Sequence, residues 1–578
     1  MTPSLAALAA LAVVLAVTAL PPSRAAHIAA PESNSVTAFL ETDDDYPLPE
    51  DLIVGTGSSS YQVEGAWNVD GKGESVFDYF YHNRNKGSQN ADDGCDSYHK
   101  YKEDVKAVKA LKMQMYRFSL SWSRIMPDGT LASLNQAGVD YYNNLINELI
   151  ANGIEPFITL YHFDHPQVLE TQFGGWTSPK MIDLFVEFSR FAFKTFGDRV
   201  KYWVTLNEPH MHCNIVYDSA TIAPAIKSPG IKQYQCIHNE LVAHAKVYRL
   251  YKSDFNRADG LIGMTVETFF ASPTDTQYEN IQAAERYNLF EMGIQADPII
   301  FGDYPALVKD MVAAASKAQG YKESRLPPLT ADEQALLKGS TDFIGLNAYY
   351  GRSVISGVDP MAAETSPWRD AHVVVTGPGF ASGFSMSMPW AFRGALLWLK
   401  ERYGNQPIFV TENGVATTPE VGDHDIARAA YHSDYIRTLV DAVRNDGCKV
   451  IGMTAWSLLD GFEWGSNRMM GMVSVDLSKP EKPRKLKDSS AFYVKMMTER
   501  KVPLVKIPDS TTAAPVTKPT TQPAPRTSTA KPAPGTSPKP APGTSPKPAP
   551  ATTPKNSASG LLAPWSIVIL AIATLARA

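Results

Sequence analysis

Between residues 50 and 460, short unbroken apolar runs rich in β-branched residues alternate with longer segments of helical spacing. The runs are LIVGTGSSS from Leu52, MYRFSLSW from Met115, IEPFITLYH from Ile154 and VKYWVTLNEP from Val200. LIGMTVET from Leu261, DFIGLNAYY from Asp342, PIFVTENG from Pro407 and VIGMTAWS from Val450 complete the series. Runs that are apolar on both faces predict strands of a parallel sheet covered by helices. Between them, DYYNNLINELIANG from Asp140 has helical spacing and a glycine at its end. SPKMIDLFVEFSRFAFKTFG from Ser178 carries Pro179 in its first turn. Eight such units in one stretch predict an α/β fold: a single (β/α)8 barrel with long strand–helix loops, over residues 27–505. A doubly wound sheet is the alternative, but no strand is followed by a glycine-rich phosphate loop.

The two ends break the pattern. Leu5 to Leu20 is an apolar run followed by Pro21, Pro22, Ser23, Arg24 and Ala25, which predicts a signal peptide over residues 1–25. No polar face supports reading it as an amphipathic helix, although a basic segment ahead of it is missing. Residues 506–556 are Pro, Thr, Ser, Ala and Lys, with KPAPGTSP starting at Lys531 and again at Lys539. Such a segment cannot bury a core. In polyproline II form it reaches roughly 150 Å, at ~3.1 Å per residue, and its composition suits an O-glycosylated stalk. Residues 557–578 begin with small residues and end in an apolar tail, which predicts a GPI-anchor signal with attachment near Asn556 or Ser557. A hydrophobic C-terminal anchor is the alternative. Either end-reading puts the barrel in the secretory pathway, at the outer face of the plasma membrane or secreted.

Four cysteines fit an oxidising compartment. Cys213 and Cys236 bracket a loop-like stretch and are expected to form a disulfide, although sequence alone leaves the connectivity open. Cys95 and Cys448 remain. No Asn-x-Ser/Thr acceptor occurs. A formal charge of −6 and the absence of basic stripes give no reason to expect a nucleic-acid partner.

Two of the apolar runs end on a carboxylate: Glu208 in YWVTLNEPH and Glu412 in IFVTENGV. In a (β/α)8 barrel, side chains from the C-terminal ends of strands converge on one site. Two carboxylates facing each other there, one protonated and one ionised, fit cleavage of a glycosidic bond. Arg117, expected at the end of the second strand, would favour an anion beside it. Gln62, His162, Asn207 and Tyr349 supply neutral hydrogen-bonding groups. Trp456, Glu463 and Trp464 combine aromatic faces with a carboxylate, which suits a sugar. A lone strand-end glutamate is more often a salt-bridge partner, and a lone histidine or tryptophan more often core. The weight lies in their joint placement at strand ends.

The motifs SYQVEGAW, YRFSLSWSRI, LNEP, FIGLNAYY, VTENG and WSLLDGFEW closely resemble glycoside hydrolase family 1, the β-glucosidase family, over residues 45–505. CDSYHKYKEDV and the Cys213/Cys236 pair resemble animal, especially insect, members. The resemblance implies that Glu208 is the acid/base and Glu412 the nucleophile, with Arg117 and Tyr349 bonded to the nucleophile. It implies that Gln62, His162, Asn207, Trp456, Glu463 and Trp464 hold the sugar. It further implies retention through a glycosyl-enzyme intermediate, no cofactor, no metal, and a small-molecule β-glycoside or oligosaccharide as substrate.

The resemblance weakens in three places. The segment after FEW is short, GSNRMMG, with Met470 where the family has a pocket phenylalanine; this puts strict glucose preference in question against galactose and fucose. His-Trp-Asp-Leu is replaced by His162-Phe163-Asp164-His165, and the loop after NEP reads NIVYDSATIAP. The expected activity is hydrolysis of terminal non-reducing β-D-glucosyl residues. A myrosinase-like thioglucosidase and a catalytically silent, klotho-like surface binding protein are the alternatives. The intact Glu208 and Glu412 count against both.

Overall fold

The computed structural model describes residues 39–506 except Asn256. The signal segment, the stalk from residue 507 and the terminal segment 557–578 lie outside the described residues. Eight strands form a closed parallel barrel. They are β1 (Ile53–Gly57), β2 (Met115–Ser119), β3 (Glu155–Tyr161) and β4 (Tyr202–Asn207). The other four are β5 (Leu261–Thr268), β6 (Ile344–Ala348), β7 (Ile408–Asn413) and β8 (Val450–Trp456). Each falls inside one of the eight apolar runs. Neighbours follow chain order, and β8 pairs with β1 to close the ring. Closure excludes the doubly wound alternative.

The floor of the barrel is filled by Met115, Phe157, Tyr202, Val204, Phe343 and Phe409. Phe157 and Phe409 meet with ring centroids 4.9 Å apart. Gly452 makes room for this packing, since a Cβ there would sit 2.5 Å from the Phe409 ring. With aromatic rings blocking the lower end, polar side chains can gather only above them.

Helices cover the outside. Helix α1 (Ser60–Val63) follows β1 directly, and α2 (Gln136–Ala151) precedes β3. Helix α2 begins four residues before the expected Asp140. The Asn135 side-chain amide just before it bonds to Asp70 O and Arg124 O, at 2.8 and 3.0 Å. Gly153 lies beyond its end with φ +71°. Helix α3 (Lys180–Phe196) starts just after Pro179 and buries Met181, Phe185, Phe188, Phe193 and Phe196. Phe188 stacks on Trp122 at 5.0 Å. Helices α4 (Pro209–Cys213) and α5 (Lys232–Asp254) follow β4. A disulfide joins Cys213 to Cys236 across the intervening loop, while Cys95 and Cys448 are free and buried. Among the described residues no helix is long and apolar enough to cross a membrane.

Candidate active site

The carboxylates occupy irregular points of otherwise regular strands. Pairing of β4 with β5 shifts register between Val204 and Asn207. Glu208 follows in the left-handed region, φ +47°, immediately before Pro209 opens α4. Pairing of β7 with β6 shifts between Val410 and Glu412. Such irregularities re-aim side chains at barrel rims. They turn both glutamates toward one cavity of about 250 Å³, which both line.

Arg117 lies in the middle of β2 rather than at its end, which corrects the sequence expectation. It starts a layer lower and reaches up the barrel axis. Its Nη1 donates to Glu412 Oε1 at 2.5 Å and to Thr411 O at 3.2 Å. Its Nη2 donates to Asn207 Oδ1 at 2.7 Å and its Nε to Thr159 Oγ1 at 3.1 Å. The Tyr349 hydroxyl donates to the other oxygen of Glu412, at 2.5 Å. Burial and the nearby carboxylates push the Tyr349 phenol well above its usual range, so it remains a donor. Its carbonyl accepts from the Tyr431 and Tyr435 hydroxyls at 2.9 and 2.7 Å, which fixes its position. Glu412 is thus held by a cation and a phenol.

Glu208 has a different environment. Its Oε1 accepts one amide N–H, from Asn347 Nδ2 at 2.5 Å. Burial pushes its carboxyl well above the usual range, and the negative charges of Glu412 and Glu267 push the same way. Asn347 and Arg117 oppose the shift without cancelling it. Two neighbouring carboxyl groups with such unequal surroundings separate into an acid and a base.

The remaining predicted residues line the same space or brace it. His162 is held neutral by burial and by the charge of Arg117, which lower its pKa well below the usual value. Its Nε2 lies 3.4 Å from Asn207 Nδ2. The Trp456 and Trp464 rings lie nearly parallel to the His162 ring, 5.8 and 6.1 Å away. Gln62, in α1, donates to Glu463 Oε2 at 3.1 Å and to Phe462 O at 2.8 Å. Burial lifts Glu463 to about 7; Arg468 opposes that shift and Glu412 adds to it. Met470 does not line the cavity. It is buried and packs with Tyr349, Ala416 and Trp456, behind the wall. Phe163 does line the cavity and stacks on His212 at 5.0 Å.

Several residues of the cavity escaped the sequence reading, Asn347 and Glu267 among them. Asn347 bonds Glu208 and also donates to Asn207 Oδ1 at 3.2 Å. It stands in FIGLNAYY as a polar residue near the end of a buried strand. Glu267 ends the run LIGMTVET as Glu208 and Glu412 end theirs, so the same signal marks it. It lines the cavity, accepts from Gln295 Nε2 at 3.1 Å and lies 2.8 Å from His210 Nδ1. Burial pushes it up to about 8. Farther out, Met211, Ile215, Ile222, Phe269, Phe380 and Phe384 form an apolar wall.

Among the described residues, one cluster has side chains of metal-ligand type within reach of each other: His212, Cys213, Cys236 and Glu240. Both sulfurs are committed to the disulfide, and His212 Nδ1 contacts Glu240 Oε1 at 2.7 Å.

Residues 45–502 match the family described as Glycosyl hydrolase family 1. The chain belongs to glycosyl hydrolase family 1. It is 40% identical over 467 residues to Myrosinase 1 of Brevicoryne brassicae, covering 79% of this chain and all of that protein. It is 38% identical over 460 residues to the cytosolic beta-glucosidase of Cavia porcellus, covering 78% of this chain and 98% of that one. Among solved structures, aphid myrosinase superposes with a TM-score of 0.74 at 40% identity, covering 78% of this chain and 99% of that one. The GH1 beta-glucosidase from the fungus Humicola insolens in complex with glucose gives a TM-score of 0.72 at 34% identity, covering 78% and 98%. Family 1 membership makes the chain a glycoside hydrolase, and the barrel is the expected (β/α)8 fold.

Proposed function

We propose that this retaining β-glycosidase uses Glu412 as nucleophile and Glu208 as acid/base on terminal non-reducing β-D-glucosyl residues. The observation that carries the assignment is the asymmetry between the two carboxyls. Glu412 accepts from Arg117 and Tyr349, whereas Glu208 is half-buried against the cavity with a single amide donor. In the first step a Glu412 oxygen attacks the anomeric carbon as the bond to the leaving oxygen breaks, and Glu208 gives that oxygen its proton. In the second step Glu208, now a carboxylate, takes a proton from water. The water oxygen then bonds to the anomeric carbon and frees Glu412. Gln62, His162, Asn207, Trp456, Glu463 and Trp464 are the proposed sugar-holding set. A leaving thiolate needs little protonation, so an acid at Glu208 favours oxygen glycosides over thioglycosides.

The test uses aryl β-glycosides of differing leaving-group acidity. Glu412→Gln is expected to abolish turnover of all of them. Glu208→Gln is expected to keep a burst with nitrophenolate leaving groups and lose activity on alkyl glycosides. Equal losses on both substrate classes would overturn the assignment of roles.

The signal-like start, the proline-rich stalk and the apolar end of the sequence support display of the barrel on the outer face of the plasma membrane through a lipid anchor. Release of the enzyme from intact cells by a phosphatidylinositol-specific phospholipase is the expected result. Retention after treatment would point to the alternative hydrophobic anchor.

A further inference from the structure

The cavity holds a cation that the proposed chemistry does not use. Arg468, in the loop after β8, lines the cavity wall. Its guanidinium lies over the Phe384 ring at 4.6 Å and over Phe380 at 5.8 Å. Its Nε donates to Ser466 Oγ at 2.9 Å. Its Nη1 is shielded from solvent and meets no protein acceptor. No carboxylate among the described residues lies within ion-pair distance of it. The deeply buried arginines differ: Arg117 pairs with Glu412, Arg124 with Glu64, Arg325 with Asp370 and Arg428 with Asp425.

The carboxyl groups of the cavity do not supply the missing partner. Glu412 is engaged by Arg117. Glu208 and Glu267 are pushed upward toward their neutral forms. Glu463 feels the charge of Arg468 without reaching it. What remains is one fixed guanidinium at the edge of an aromatic wall, with donors unspent. A guanidinium fork matches the paired oxygens of a carboxylate, sulfate or phosphate, and stacking on an aromatic face holds its plane in place.

We propose that Arg468 is a specificity residue that receives an anionic substituent of the β-glycoside. The proposal rests on the reading of the cavity as the glycosidase site. Two positions on a substrate bring an oxyanion to Arg468. One is the ring of an aromatic aglycone lying against Phe269, Phe380 and Phe384. The other is a substituent of the sugar held by Glu463, a carboxyl close enough to feel the charge of Arg468.

The experiment compares matched substrates in the wild type, Arg468→Gln and Arg468→Lys. p-Nitrophenyl β-glucoside is the neutral reference. 3-Carboxy-4-nitrophenyl β-glucoside places the charge on the aglycone, and p-nitrophenyl β-glucoside 6-phosphate places it on the sugar. The readout is the anionic-to-neutral ratio of kcat/KM and its dependence on salt. For one of the two anionic substrates the ratio is expected to fall about tenfold or more in Arg468→Gln, carried by KM, and partly to survive in Arg468→Lys. Added salt should erode the ratio in the wild type and leave it flat in Arg468→Gln. Ratios unchanged for both anionic substrates would overturn the proposal while leaving the glycosidase reading intact. Calorimetric binding of uncleavable phenyl C-glucosides, neutral, ring-carboxylated and 6-phosphorylated, decides Arg468 separately if no substrate turns over. Equal affinities of all three for wild type and Arg468→Gln would refute it.

Discussion

Replacing Arg117 by methionine keeps an unbranched stem out to about the position of Nε and removes the guanidinium and its charge. The guanidinium and Glu412 are 1% and 5% exposed, so the carboxylate left behind is poorly solvated. Breaking one side of a buried ion pair costs about 3–5 kcal/mol. Unfolding entropy near 2.1 cal/mol/K per residue, over roughly 470 residues, gives about 1 kcal/mol/K. The melting temperature of Arg117→Met should therefore drop by about 3–5 °C. Adding Glu412→Gln removes the stranded charge. The double variant still lacks the bonds to Asn207, Thr159 and Thr411, a residual deficit of about 1–3 kcal/mol. It should nevertheless melt above Arg117→Met, although neither turns over substrate. Scanning calorimetry on the four members of this cycle isolates the coupling between the two side chains. If the double variant melts no higher than Arg117→Met, the loss belongs to hydrogen bonds and packing of the guanidinium, and the stranded-charge reasoning is wrong.

Burial and the charges of Glu412 and Glu267 hold Glu208 well above the usual carboxyl range, so kcat/KM should fall only as pH rises through that raised value. Asn347→Ala removes a donor that favours the Glu208 anion, and the basic limb of the pH profile should move upward; a limb that stays or moves down refutes the assignment. Asp164 is buried, accepts from Ser60 Oγ at 2.6 Å and is pushed up to about 7 by burial. Its folded value lies above the unfolded value of about 3.9, so its contribution to stability is complete below that point and lost as pH rises through about 7. Asp164→Asn should then match the wild type in unfolding free energy from urea titration near pH 4 and exceed it at pH 8 by about 2–4 kcal/mol. The Cys213–Cys236 bond closes a loop of sequence separation 23, worth about 3 kcal/mol on chain-entropy grounds, so Cys213→Ala with Cys236→Ala should melt about 3 °C lower. An unchanged melting temperature would show that the neighbouring packing of α4 on α5 already fixes the loop.

The apolar runs and their spacing determined the eight strands, their parallel sense and the barrel, because burial on both faces is written locally in each run. The same runs announced Glu208, Glu412, Asn207 and Trp456, since a polar or aromatic group ending a buried strand marks the catalytic rim. Glu267 bore that mark too and was legible in LIGMTVET. Arg117 and Tyr349 were expected beside Glu412 and are found there, but the positions from which groups reach their partners, and the other pairings, were not legible. Arg117 sits mid-strand and serves the rim from below, 295 positions from Glu412 in sequence. Asn347 rather than a charged group meets Glu208, and Met470 packs behind Tyr349 and Trp456 instead of lining the cavity. Arg468 sits on Phe384 with donors unspent, in a loop whose sequence says only that it is short. Strand identity follows from side-chain chemistry over a few residues. Distances across the barrel follow from ring closure, register shifts and the aromatic floor, which depend on the whole chain at once.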